Sequence, residues 1–371
     1  MKKKILFLIP NLAHGGAERV LVNLVNHLDK TKYDVTVQTL FDVGVNRQYL
    51  SPDVRYRGGF RHLVRGNSHL QKLFSPKTLF HYIVHEKYDI LVSYLEGMTS
   101  RILAGCTDAS VKKIAWIHIE LNNPQMAAVG FRSVKEANRL YSGYDRIIAV
   151  SEEVKRCFQS NLEVKAPVAV LYNTNETEQI QRRACLLPDD EAFHHYTFTV
   201  CSVAKLVPTK GFDRLLNVHK RLIDEGLTHT VYILGIGGEE KSLRRKIKEY
   251  GVESSFFLLG FRDNPYQYVA RCDLYVCSSR REGFSTAVTE SLIVGTPVVS
   301  TDCSGAKELL GEHDEYGLVV ENSEEGIYRG MKRMLTEPET LAHYRQMAAE
   351  RGKDFSREKT VKAVEDMLDS L

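Results

Sequence analysis

Arg281-Glu282-Gly283-Phe284-Ser285-Thr286-Ala287-Val288-Thr289-Glu290-Ser291-Leu292 is the segment from which the rest of this chain is best understood. Two glutamates stand eight residues apart, with a glycine turn at the first and a helical pattern running to the second. At ~1.5 Å of rise per residue, the second carboxylate lies roughly 12 Å along the helix axis, about two turns on. The first amides of such a helix lack intrahelical acceptors and sit at its positive end, so they can hold an anion. One carboxylate beside that anion and another two turns away suit an extended ligand carrying phosphate and hydroxyl groups.

Outward from this segment, short apolar runs alternate with longer amphipathic stretches. Residues 197–203, 230–234, 256–259, 274–277, 298–300 and 317–320 read as strands. Helical patterns lie at 212–225, 239–250, 265–271 and 285–294, with two more at 324–335 and 338–349. The first half has the same rhythm, with strands at 5–9, 35–40, 90–94, 113–117, 147–150 and 168–171 and helices such as 17–28 and 76–85. This alternation implies parallel sheets covered on both faces. Between the halves the chain turns polar, and 176–195 is expected to be a linker. The expected fold is therefore α/β, with two Rossmann-like doubly wound domains, one over 1–175 and one over 196–354.

With 371 residues, 43% hydrophobic and 26% charged, the composition is that of a globular protein able to bury two cores. A formal net charge of +3 gives no bulk attraction to nucleic acid. The charge is uneven, however. Between Gly44 and Lys77 stand Arg47, Arg55, Arg57, Arg61, Arg65, Lys72 and Lys77 against one acid, Asp53, with His62 and His69 in the same stretch. This 44–77 stretch is expected to make peripheral contact with an anionic membrane or a phosphorylated acceptor; a solvated loop is the plainer reading. Seven cysteines without a C-x-x-C pair fit a reducing cytoplasm rather than a disulfide framework or structural zinc. Met1-Lys-Lys-Lys-Ile-Leu-Phe-Leu-Ile reads as a first buried strand, not a signal peptide. No apolar run reaches the length of a spanning helix, so the expectation is a soluble protein at most peripheral to the inner face of the cell membrane.

Further candidate groups each follow an expected strand, where open α/β sheets bind ligands. Lys205 and Lys210, five residues apart after strand 197–203, can bracket a diphosphate and stabilise the charge that grows on it as it departs. The chain has no Asp-x-Asp motif to hold a metal there. Adjacent Gly15 and Gly16, after His14, allow close approach of backbone to a ligand. His118 ends an apolar run and Glu120 follows it; a lone histidine in that setting is commonly a core residue.

These motifs resemble the retaining GT-B glycosyltransferases of family 4 type (glycosyltransferase group 1), whose donor signature is a Glu, seven residues and a Glu. Gly295-Thr296-Pro297-Val298-Val299 also agrees with the family pattern. The resemblance implies two domains facing across a cleft, with 355–371 crossing back onto 1–175 to complete an N-terminal acceptor domain. It implies that Glu290 holds the ribose hydroxyls, that Glu282 faces the donor sugar, and that Gly283, Phe284, Ser285 and Thr286 surround the distal phosphate. Gly15 and Gly16 would lie near the phosphates, Gly235 would line the nucleotide side, and Gly260-Phe261-Arg262 would meet the base through backbone groups; Arg262 could also stack on it, an exposed arginine being the plainer reading. His118 would act near the reacting carbon, with Glu120 and His14 on the acceptor side. Lys210 matches the family, whereas Lys205 stands where the family usually has Arg, a looser grip without the bidentate fork.

The implied reaction is metal-independent transfer of a hexose or N-acetylhexosamine, with no cofactor, from a nucleotide-sugar, by base rate a UDP-sugar. The acceptor hydroxyl would belong to a glycan or lipid-linked glycan in capsule, exopolysaccharide or lipopolysaccharide assembly. The leaving phosphate would serve as base on the same face. A nicotinamide-dependent oxidoreductase would need G-x-G-x-x-G after the first strand, which is absent. A sugar-nucleotide epimerase and a non-catalytic glycosyltransferase-like subunit remain the alternatives.

Overall fold

In the computed structural model, which describes residues 2–13, 15–61, 71–190, 193 and 198–371, the opening apolar run forms strand β1 (Lys3–Ile9). Every side chain from Ile5 to Ile9 is buried, as a parallel strand covered on both faces requires. His14, His62, Arg65 and His69 lie outside the described residues. The chain divides into two compact units, Met1–Asn175 with Arg357–Leu371, and Glu176–Ser356.

The first unit continues with β2 (Tyr33–Thr39), β3 (Arg55–Arg57), β4 (Ile90–Ser93), β5 (Lys112–Ile117), β6 (Arg146–Ala149) and β7 (Val168–Val170). All pair in parallel in the order β3-β2-β1-β4-β5-β6-β7. β3 is an edge strand of Arg-Tyr-Arg and carries no apolar signature. Its arginines are held by acids, Arg55 by Asp34 and Glu86 and Arg57 by Glu86. Arg47 likewise pairs with Asp42. Part of the 44–77 basic stretch is therefore neutralised within the unit.

The last helix, Arg357–Asp369, belongs to this unit because its residues bond to the start of the sheet. Lys3 Nζ donates to the Leu368 carbonyl at 3.0 Å, the Asp29 N–H to Glu365 at 2.7 Å, and Tyr33 Oη to Asp369 at 2.6 Å. Val361, Val364 and Leu368 form its buried stripe.

The second unit holds β8 (Phe198–Val203), β9 (His229–Leu234), β10 (Phe256–Gly260), β11 (Leu274–Cys277), β12 (Val298–Thr301) and β13 (Leu318–Val320). Their parallel order is β10-β9-β8-β11-β12-β13. Val200, Val231, Ile233, Val276 and Val299 from the sheet meet Leu215, Leu216, Ile327 and Met331 from helices Phe212–Asp224 and Glu324–Thr336.

The segment 176–195, expected as a linker, contains helix Thr177–Ala184 and lies in the second unit. Only Ile180 and Ala184 of that helix are buried, too narrow a stripe to stand out in a polar sequence. Thr177 Oγ1 ties it to the Phe355 carbonyl at 2.9 Å. In each sheet the strand order reverses beside the first strand of the unit, between β1 and β4 and between β8 and β11. The carboxyl ends at those two reversals are where such sheets take ligands.

Candidate functional site

In the second unit, the loops leaving β8, β9 and β11 are bound to one another through backbone groups. The Leu206 N–H donates to the Ile236 carbonyl at 3.0 Å and the Glu239 N–H to the Leu206 carbonyl at 3.0 Å. Gly235 sits at φ +145°, and a Cβ there would stand 1.9 Å from the Ala204 carbonyl oxygen. Its glycine is thus demanded by the approach of two backbones, and it shapes the loop that presents Lys205. Lys205 itself is exposed.

Lys210 ends a 3-10 turn, Pro208–Lys210, closed by Gly211 at φ +67°. Ser278 Oγ donates to the Lys210 carbonyl at 2.9 Å and the Arg280 N–H to the Thr209 carbonyl at 2.7 Å. These bonds bring Lys210 Nζ to 2.6 Å from Glu282 Oε1, while Ser279 Oγ donates to the same oxygen at 2.6 Å. The lysine and glutamate side chains are 25% and 12% exposed, so solvent still reaches the lysine.

Helix Thr286–Ile293 follows, with Ser285 as its N-cap accepting from the Val288 N–H. The cap satisfies one amide and leaves those before it to face outward. Phe284 is buried against Phe355, their rings 6.3 Å apart. Gly305, at φ +74°, comes so close that a Cβ would meet the Phe284 ring at 2.9 Å, bracing Gly283 and Phe284 from the loop after β12. Farther along the helix, Glu290 accepts from Tyr266 Oη at 3.2 Å. Ser279, Tyr266 and Gly305 were not singled out from the sequence. Ser279, a hydroxyl three residues before Glu282, was the one with a local signal.

Arg262, expected at the base, is paired within its own unit. Its guanidinium lies 2.5 Å from Asp190 and its Nε 3.2 Å from Tyr268 Oη. An ion pair on the side of its own unit therefore holds the group expected at the base.

In the first unit, Gly15 caps and Gly16 opens helix Gly16–His27 at the carboxyl end of β1. Gly15 has φ −153°, ordinary extended backbone, and brings no side-chain cap to the first amides. His118 follows β5 and is buried, its ring centroid 4.7 Å from that of Tyr94. Burial pushes its pKa down to about 3, so the ring is neutral near pH 7. Its Nε2 has no hydrogen-bond partner among the described residues. A neutral imidazole can orient a hydroxyl but cannot offer a cation. The backbone N–H of His118 donates to Glu96 Oε2 at 2.9 Å, a carboxylate that sequence reasoning passed over. Glu120 is half-buried and accepts from Asn122 at 3.2 Å.

Among the described residues there is no group of three or more His, Cys, Asp or Glu side chains placed to hold a metal ion, and no helix long and apolar enough to cross a membrane.

Two family patterns match this chain, Glycosyltransferase Family 4 over residues 14–179 and Glycosyl transferases group 1 over 188–351. The chain is 28% identical over 385 residues to the N-acetylgalactosamine-N,N'-diacetylbacillosaminyl-diphospho-undecaprenol 4-alpha-N-acetylgalactosaminyltransferase of Campylobacter jejuni, covering 100% of this chain and 99% of that one. It is 26% identical to the lipopolysaccharide core biosynthesis glycosyltransferase LpsE of Rhizobium meliloti, covering 96% of both. Among solved structures it is similar in fold to Anabaena Alr3699/HepE in complex with UDP and glucose, with a TM-score of 0.78, 20% identity and full coverage of both chains.

Proposed function

We propose that this chain, which belongs to the GT-B glycosyltransferases of family 4 type, transfers a hexose or N-acetylhexosamine from a UDP-sugar to a lipid-linked or cell-surface glycan with retention and without a metal. The observation that carries the reading is the Lys210–Glu282–Ser279 contact at the carboxyl ends of β8 and β11, directly before an N-capped helix that bears Glu290. Relatives named for polysaccharide or lipopolysaccharide assembly support the acceptor class, and the UDP-bound Anabaena structure supports the nucleotide.

The second unit holds the donor. Glu290, oriented by Tyr266, takes the ribose hydroxyls. Amides at Gly283, Phe284, Ser285 and Thr286 receive the distal phosphate, where the helix dipole favours an anion. Lys210 and Lys205 face the diphosphate and supply the positive charge that a metal provides elsewhere. As the bond from the anomeric carbon to the phosphate oxygen breaks, charge grows on the departing diphosphate, and cations already in place stabilise it most in the transition state. Glu282 faces the sugar as positive character develops at that carbon. The acceptor oxygen bonds to the same face, and its proton passes to the departing phosphate. The neutral His118 holds a sugar hydroxyl, while Gly15 and Gly16 pass close to the phosphates and Glu120 contributes on the acceptor side.

Membrane contact is assigned to the end of the basic stretch. Arg101 and Arg132 bind the carbonyls of residues 71–74 and so fix a turn on which Leu73 is 74% and Phe74 53% exposed. Lys72 and Lys77 flank it, so apolar insertion and charge can act together.

A thermal-shift panel of UDP, GDP, ADP, CMP and NADH, with EDTA or a divalent ion, tests the reading. UDP at 100 times its dissociation constant is expected to stabilise by ~2.7 kcal/mol whether or not metal is present. A shift with NADH alone, or with no nucleotide, refutes it.

A further inference from the structure

At the carboxyl end of β4 the chain makes a turn that the donor-binding account does not use. The hydroxyls of Ser93, Thr99 and Ser100 converge on the Leu95 carbonyl at 3.0, 2.6 and 3.4 Å. Ser93 also lies 2.9 Å from each of the other two hydroxyls. Two residues on, Gly97 has φ +92°, and a Cβ there would stand 2.9 Å from the Val129 carbonyl oxygen. The backbone is therefore pinned on both sides of Glu96.

The Glu96 side chain is half-buried and accepts from the His118 N–H at 2.9 Å. Among the described residues no cation pairs with it. Burial raises its carboxyl above the ordinary glutamate value. Two further polar atoms nearby are buried without partners, His118 Nε2 and Trp116 Nε1. The turn lies beside the strand reversal between β1 and β4, the position at which an open sheet receives a ligand. A partly desolvated carboxylate on a rigid turn, with acceptor capacity left over and no compensating charge, is placed to take a hydrogen bond from a ligand donor.

We propose that Glu96 binds the attacking hydroxyl of the sugar acceptor, accepting its hydrogen bond and aiming its oxygen, a role that rests on the glycosyltransferase reading above. The hydroxyl proton leaves with the departing phosphate, so Glu96 acts as acceptor and orienter rather than as the final base. Its bond to the backbone N–H of His118 holds Glu96 beside that residue.

Glu96→Gln separates this role from a structural one, because an amide oxygen can still accept from the His118 N–H while the negative charge is lost. The full-length variant and wild type are compared with tritiated UDP-N-acetylgalactosamine and UDP-glucose, using polyprenyl-diphosphate-linked glycans extracted from bacterial membranes as acceptor. UDP affinity is measured alongside by calorimetry. The expected result is a loss of ~10-fold or more in kcat/KM for the acceptor, with the UDP dissociation constant and melting temperature unchanged and partial recovery in Glu96→Asp. Transfer by Glu96→Gln at the wild-type rate overturns the assignment, as does a parallel loss of UDP affinity. A wild-type protein that binds no UDP and transfers neither sugar refutes the functional reading itself, and this proposal with it.

Discussion

Glu282→Gln is expected to tighten UDP binding while nearly abolishing transfer. Glu282 Oε1 accepts from both Lys210 Nζ and Ser279 Oγ at 2.6 Å. A diphosphate that calls on Lys210 must therefore compete with a carboxylate already in contact with it. At an effective dielectric constant of ~20, the direct attraction at such a distance is several kcal/mol. Solvent reaches the lysine, which is 25% exposed, so the net worth of the pair is nearer ~1 kcal/mol. Glutamine keeps an oxygen for Ser279 and gives up the charge. The freed lysine, together with lost repulsion between carboxylate and phosphate, should lower the UDP dissociation constant about fivefold. In the transition state the sign reverses. Positive character at the anomeric carbon then lacks its facing anion, at a cost of ~10²–10³ in kcat. Calorimetric titration with UDP and initial rates with a radiolabelled UDP-sugar measure the two effects. Weaker UDP binding in Glu282→Gln, or transfer within threefold of wild type, refutes the reasoning.

Arg101 is fully buried, donating to Glu136 and to the carbonyls of Gln71 and Phe74, so Arg101→Met should destabilise the first unit by ~3–5 kcal/mol in urea unfolding. Adding Glu136→Gln to that variant should recover part of the loss. His219 and His229 form a buried chain in which Leu227 can only accept, so His229 Nδ1 donates to it, His229 Nε2 accepts from His219 Nδ1, and Ser255 donates to His219 Nε2. Burial lowers the pKa of His219 to about 3, so the unfolded chain binds more protons than the folded one below pH ~6.5. Stability is complete above that value and falls by up to ~1.4 kcal/mol per pH unit below it. His219→Asn should flatten this acid limb in unfolding curves measured from pH 7 to 5.

The strands were visible in the sequence because parallel strands buried on both faces read as unbroken apolar runs, as at Ile5–Ile9. The edge strand Arg55–Arg57 escaped because its charges are neutralised by residues far along the chain, Asp34 and Glu86. Helix Thr177–Ala184 escaped for a related reason, since two buried residues do not make a legible period. Glu282 and Glu290 could be read from local spacing, which a single turn and helix set without help from elsewhere.

The contacts around them could not be read in the same way. Ser279 and Lys210 share a glutamate oxygen only because backbone bonds join the exits of β8 and β11. Arg262, legible as a candidate for a nucleotide base, pairs with Asp190, seventy-two residues away, a contact that no local pattern announces. Gly235, read from the sequence as lining the nucleotide side, also makes room for the Ala204 carbonyl, a demand set by another strand's loop. By itself the sequence determined the α/β alternation and the residue types after each strand, since these depend on periodicity and on chemistry within one turn. Which of those residues meet was decided by the tertiary structure alone, because strand order and loop-to-loop hydrogen bonds place within 3 Å groups that no local pattern connects.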